Sequence, residues 1–263
     1  MSALLLEGQI IHYEVLGRGR PIIFLHGWVG SWRYWISSMQ VASTSFRAYA
    51  LDLWGFGETA RDPQKYSLSQ QADLLNHFLD DLGVAKVAIV GHGLGALVGF
   101  TYASRWPTSV DRMMAVNCPL SYEAIDTRFR TTASIQELVS WLGSRSPEAA
   151  NALSDASKVD PQAVSGSINS YQSNSLFGKV RETQIPTLLV YGQSDPAILI
   201  PDFNDEHGLP HMIHRVVLEG VGHFPMLDNP SRFNRLMTDF LALDSGASPR
   251  ELQMKEEWRR RVR

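Results

Sequence analysis

The chain has 263 residues, 44% hydrophobic and 19% charged, values of a globular protein and not of a disordered or coiled-coil one. A net charge of −3 gives no electrostatic footing for nucleic acid, and the one cysteine, Cys118, excludes an internal disulfide framework and suits a reducing cytoplasm. Met1–Glu7 lacks a basic leader and no apolar run is long enough to span a bilayer, so a soluble cytoplasmic protein is expected.

In chain order, Leu4–Leu6 and Gln9–Val15 flank Glu7-Gly8 and predict an opening β-hairpin, after which Gly17 to Pro21 turns the chain. Apolar runs follow at Ile22–Leu25, Arg47–Leu51, Val87–Val90, Arg112–Val116, Thr187–Tyr191 and Arg215–Leu218. Most are unbroken and not alternating, the pattern of strands covered on both faces. Between them, Ser67-Leu68-Ser69-Gln70 has the form of a capping box, and Leu68, Ala72, Leu75, Leu79 and Leu82 recur at helical spacing before Gly83. Further helices are predicted over Leu94–Arg105 and Pro230–Leu243. Strands alternating with helices imply an α/β fold with a mostly parallel, doubly wound sheet.

Residues 121–181 break this rhythm with Ser, Ala, Asn and Gln among scattered aromatics, and predict a small helical cap inserted over the carboxyl edge of the sheet. The core is thus expected over 1–120 and 182–243. Residues 244–263 form a charged tail or C-terminal helix, with six basic residues against three acidic ones after Pro249. A solvated face explains that tail; a segment that docks a partner or second subunit is the sharper alternative.

Val87 to Gly91 runs into His92-Gly93-Leu94-Gly95, the strand–turn–helix setting of a nucleophile elbow, G-x-S-x-G. Its tip is Gly93, which has no side chain and so no nucleophile. A residue at such a tip usually has positive φ, which glycine accepts freely, so glycine relaxes the turn while removing the hydroxyl. It also leaves room for a water.

Ligands of open parallel sheets bind at the carboxyl ends of the strands. Four polar clusters stand there: His26-Gly27-Trp28, Asp52 to Gly57, the turn at Gly91–Gly95, and Asp195 with His223. Together, over residues 10–243, they resemble the α/β-hydrolase fold superfamily of esterases, lactonases and C–C hydrolases. The resemblance implies that Leu188 to Pro196 supplies an acid, Asp195, and Glu219 to Pro225 a histidine, His223, in the chain order of that family. It further implies that the amides of Trp28 and Leu94 form an oxyanion hole and that His26 and His92 support these loops.

Trp28, Trp32, Tyr34, Trp35, Trp54 and Phe56 are expected to rim the pocket, with Trp141 from the cap. Trp54, Trp32 and Trp141 are the candidate substrate-binding rings, favouring a small apolar or aromatic ester-like ligand. No cofactor is called for. Cys118 reads as a small buried hydrophobe, and Ser31 and Ser121 lack an elbow context. His207, His211 and His214 suggest a metal only superficially, since Gly208 and Pro210 keep them off one helical face, so no metal site is expected.

Three alternatives stay open at this point. The glycine replaces the serine of an esterase-like hydrolase, inactivating it; or it is native in a non-catalytic relative that binds a ligand or partner; or it is native and His223 with Asp195 acts alone as a base dyad.

Overall fold

Each apolar run of the sequence becomes a strand of one eight-stranded sheet in the computed structural model, which describes residues 2–132, 134–143, 149, 153–171, 176–202 and 209–254. The strands are β1 (Ser2–Leu6), β2 (Gln9–Leu16), β3 (Arg20–Leu25), β4 (Phe46–Leu51), β5 (Val87–His92), β6 (Val110–Val116), β7 (Thr187–Gly192) and β8 (Ile213–Leu218). Their order is β1-β2-β4-β3-β5-β6-β7-β8. The β1–β2 and β2–β4 pairs are antiparallel, and every later pair is parallel. The runs that lack alternation are those buried throughout: β5 and β7 expose no residue.

Around the sheet lie α1 (Ile36–Ala42), α2 (Leu68–Asp81), α3 (Leu94–Arg105), α4 (Thr127–Thr131), α5 (Ile135–Leu142), α6 (Pro161–Tyr171), α7 (Leu176–Glu182), α8 (Pro225–Asp228) and α9 (Pro230–Leu241). The Ser67 side chain caps α2 by accepting from Gln70 N, and Leu68, Ala72, Leu75 and Leu79 form its buried stripe. Asn229 caps α9 at Arg232 N, with Pro230 at the first helical position.

Several expectations shift. The run Trp32–Trp35 is a 3-10 turn leading into α1 and not an open loop. Tyr34 and Trp35 are buried there because Trp35 stacks on Phe24 and Phe233 in the core. Helix α9 ends at Leu241, two residues short of Leu243. The tail starts with a 3-10 turn, Pro249–Met254, bound to the core: Leu252 is buried and the Arg250 guanidinium donates to the carbonyls of Leu209 and Pro210. Its positions beyond 254 lie outside the described residues.

Among the described residues of 121–181 the elements are helices and 3-10 turns, and they join the carboxyl side of the sheet by long-range hydrogen bonds. Tyr171 Oη donates to Pro119 O at 2.9 Å, and Tyr66 Oη donates to Asp160 at 2.7 Å. Among the described residues, no helix is long and apolar enough to cross a membrane.

Candidate active site

The crossover of the sheet brings two loops side by side. The chain goes from β3 outward to β4, then returns past β3 to β5, so β3 and β5 are neighbours with Leu25 opposite Gly91. Their carboxyl ends therefore release His26-Gly27-Trp28 and His92-Gly93-Leu94 at the same place, the switch point of a doubly wound sheet. The glycine spacing follows from close approach. A Cβ on Gly91 would stand 2.6 Å from Ala96 N, and one on Gly95 would strike the backbone of Leu25. Helix α3 can start directly against the strand only because both side chains are missing.

Gly93 has φ +49° and ψ −109°. Glycine relieves the strain, yet the turn keeps its tight conformation because its backbone is held on both sides. Gly93 N donates to Val116 O at 2.9 Å, Gly95 N to His26 O at 2.9 Å, and Leu97 N to Gly93 O at 3.1 Å. The amides of Trp28 and Leu94 take no backbone acceptor among the described residues. For Leu94 the reason is position, since the first amide of a helix has no carbonyl behind it.

Asp195 and His223 follow β7 and β8. Loop amides bind the two segments together: Gln193 N donates to Leu218 O and Ser194 N to Val221 O. His223 Nδ1 lies 2.9 and 3.0 Å from the two carboxylate oxygens of Asp195, and each side chain is only 1% exposed. A carboxylate accepts, so Nδ1 carries a proton and points it at Asp195. Ala197 N also donates to Asp195 Oδ1, at 2.8 Å, fixing the acid.

The residues that hold this pair include some that sequence reasoning missed. Asn117, at the end of β6 with φ +43°, donates from Nδ2 to His223 O at 2.9 Å and accepts Gly192 N on Oδ1 at 2.8 Å. Its signal was an asparagine at a strand end, a residue type that tolerates left-handed backbone. His92 Nε2 donates to His223 O at 2.8 Å, so the residue before Gly93 grips the histidine loop directly. His92 Nδ1 accepts from Tyr34 Oη at 3.0 Å, and that oxygen accepts from Gly27 N. Burial and then the neighbouring His223 hold His92 well below the ordinary imidazole pKa. His26 is likewise lowered by burial, donating from Nδ1 to Gly27 O and accepting Leu53 N on Nε2. Both act as neutral struts between loops.

The predicted aromatic rim divides. Trp28 is fully buried, lies over Gly93, and meets Phe129 edge-on at 5.4 Å. Phe129 in turn reaches the His223 ring at 6.1 Å and Trp141 at 6.4 Å. Trp141 thus joins the site through Phe129, a residue that sequence reasoning noted only as one of the insert's aromatics. Trp54 and Trp32 lie elsewhere. Trp54 is bracketed by Gln71 of α2 and covered by Lys65, while Trp32 leans on His12 and its amide donates to Asp52. Neither ring touches His223, Trp28 or Phe129 among the described contacts.

Burial pushes the Cys118 thiol far up, which removes it as a nucleophile. Ser31 donates to Asp155 and Ser121 opens a 3-10 turn. Among the described residues, no group of three or more His, Cys, Asp or Glu is placed to hold a metal. His207 lies outside them.

Comparison with known proteins places this geometry. Bifunctional epoxide hydrolase 2 of Sus scrofa is 23% identical over 307 residues, which is 92% of this chain but 55% of that protein, so the chain spans about half its length. Epoxide hydrolase 4 of Homo sapiens is 24% identical over 280 residues, 89% of this chain and 76% of that protein. Among solved structures, the N-acyl homoserine lactonase AidH complexed with N-butanoyl homoserine has the same fold. Its TM-score is 0.80 at 21% identity, over 91% of this chain and 95% of that one. A serine-to-glycine mutant of that lactonase, complexed with N-hexanoyl homoserine lactone, matches at TM-score 0.79 and 22% identity, over 91% and 96% of the two chains. The model of the Alpha/beta hydrolase family matches residues 22–236, from within β3 into α9, and the chain belongs to that family.

Proposed function

We propose that this protein binds a small apolar or aromatic ester-like ligand between the carboxyl edge of the sheet and the helical segment 121–181, and that His223 with Asp195 acts there as a base dyad. The observation that carries this is the His223 Nδ1 contact to both oxygens of a buried Asp195, beside a Gly93 turn that retains φ +49°. Asp195 holds the Nδ1 proton and stabilises the imidazolium when Nε2 takes a second proton. With water as its partner, the water oxygen attacks the ligand carbonyl as Nε2 removes its proton, and the leaving alkoxide takes that proton back. The amides of Trp28 and Leu94 are the oxyanion donors in this scheme, and donors of this kind are worth roughly 3–4 kcal/mol in a transition state.

Gly93 stands at the nucleophile position, so serine-type hydrolysis is severely impaired. Loss of a triad nucleophile costs on the order of 10⁶ in kcat and leaves roughly 10³–10⁴ over water. Trp28, Phe129 and Trp141 supply the apolar surface. The buried thiol of Cys118 supports a reducing, cytoplasmic setting. A second reading, in which the protein binds its ligand without turnover, is favoured by one observation: a serine-to-glycine mutant of a structural neighbour is complexed with a lactone, its ring named as closed.

The test is turnover of a panel of short activated esters by the protein, its Gly93→Ser variant and its His223→Ala variant. Activity of the parent that disappears in His223→Ala supports the dyad. Turnover confined to Gly93→Ser shows a latent esterase site, and turnover in neither, with lactone binding by calorimetry, shows a binder.

A further inference from the structure

The space over Gly93 is narrowed by an indole. A Cβ built there stands 3.3 Å from both Cε3 and Cζ3 of Trp28, inside ordinary carbon contact, and 3.7 Å from Gly27 Cα. The indole is not free to back away. Its Nε1 donates to Ser167 Oγ at 3.0 Å, and the Phe129 ring meets it edge-on. Ser167 is itself fixed on α6, donating to Ala163 O at 2.7 Å. Trp28, Ser167 and Phe129 are all buried.

We propose that Trp28 and Gly93 are a matched pair: the indole fills the volume that a side chain at position 93 needs, and Ser167 is the positioning residue that keeps it there. A side chain at 93 then requires the indole to give by a few tenths of an ångström against its own tether. Above the turn a ligand meets the edge of an indole, and a hydroxyl added alone is crowded by it. That catalytic consequence rests on the dyad reading above; the packing claim does not.

A double-mutant cycle of Gly93→Ala and Trp28→Leu, read as thermal midpoints, separates the two. Backbone strain at φ +49° is common to both backgrounds and cancels. Gly93→Ala is expected to lower Tm by roughly 2–4 °C more beside Trp28 than in the Trp28→Leu background, the shift of about one kcal/mol in a chain of this size. Equal shifts in the two backgrounds overturn the pairing. If Trp28→Leu does not fold, Ser167→Ala serves as the background: it should relieve part of the cost, whereas Ser167→Thr, which keeps the hydroxyl, should not. An unchanged cost in Ser167→Ala removes Ser167 from the scheme. With activated esters, Gly93→Ser/Trp28→Leu is expected to exceed Gly93→Ser by about tenfold or more, roughly 1.4 kcal/mol of barrier. No turnover in either variant overturns the functional reading, while the Tm cycle still decides the pairing.

Discussion

Two histidine–aspartate pairs in this molecule have almost the same bond and different surroundings. His12 Nδ1 is 2.8 Å from Asp52 Oδ2, and His223 Nδ1 is 2.9 Å from Asp195 Oδ2, with both pairs buried. The difference lies in what else each member meets. Asp52 also accepts Trp32 N and Glu58 N, and a Cβ on Gly57 would run into its carboxylate. His12 Nε2 faces a second carboxylate, Glu14 Oε1, at 3.5 Å. Burial pulls the His12 pKa down, but the Asp52 hydrogen bond and the charges of Asp52 and Glu14 outweigh it, and the net shift is upward. His223 instead has one carboxylate and a ring environment of His92, Phe129 and Phe224. The same hydrogen bond therefore sits among carboxylates and loop amides in one place and against aromatic rings beside the Gly93 turn in the other.

The widest expected separation between the pairs is in rate. On the dyad reading, His223→Ala lowers turnover by roughly 10²–10⁴-fold, the usual worth of a general base, whereas His12→Gln acts on stability. Steady-state assays of both variants decide it, and equal rate losses would erase the contrast. Stability should separate them the other way. Asp52→Asn is expected to cost about 2–4 kcal/mol, because one amide group cannot accept from His12 Nδ1, Glu58 N and Trp32 N as the two carboxylate oxygens do. Asp195→Asn is expected to cost only about 1 kcal/mol, since the amide oxygen still accepts from His223 Nδ1. Denaturant unfolding at neutral pH measures both, and equal losses would erase the contrast in stability.

A third buried histidine sharpens the comparison through pH. Burial, then the guanidiniums of Arg250 and Arg215, push His214 down to about 4 from its ordinary 6.5. Between those values the unfolded chain binds a proton that the folded one refuses. Its stabilising contribution is therefore full above pH 6.5 and is lost as pH falls toward 4, with a slope approaching about 1.4 kcal/mol per pH unit. For His12, raised above its ordinary 6.5, the contribution is full below that pH and is lost as pH rises through the folded value. Unfolding free energies of His214→Gln and His12→Gln, each subtracted from the parent across pH 4–8, should slope in opposite directions. Parallel slopes would refute the opposite directions in which the two histidines are shifted.

Local pattern carried much of the architecture. Unbroken apolar strings mark strands covered on both faces, so β3 to β8 were legible to within two residues at either end. The cap at Ser67 and the first-turn proline at Pro230 set the starts of α2 and α9 by interactions spanning three residues or fewer. The run at Trp32–Trp35 misled, because consecutive aromatics at the end of a strand look like a pocket rim. Their burial against Phe24 and Phe233 depends on a helix two hundred residues onward. Trp32 meets His12 of β2, and the backbone of Trp54 bonds to Gln71 of α2, contacts that no local pattern announces.

The sequence by itself determined that a strand must run into a turn at Gly93 and that Asp195 and His223 follow the last two strands, because strand periodicity and glycine spacing are local properties of the chain. Only the tertiary structure decided what those residues meet. That the Trp28 indole rests over Gly93, pinned by a serine 139 residues away, depends on the crossover of the sheet and the descent of the helical segment onto it. That Asp52 stands beside the His12 ring and Phe129 beside the His223 ring is settled only once β2 pairs with β4 and the helices after β6 fold over the sheet. Such contacts are made by chain closure, and a one-dimensional pattern has no term for them.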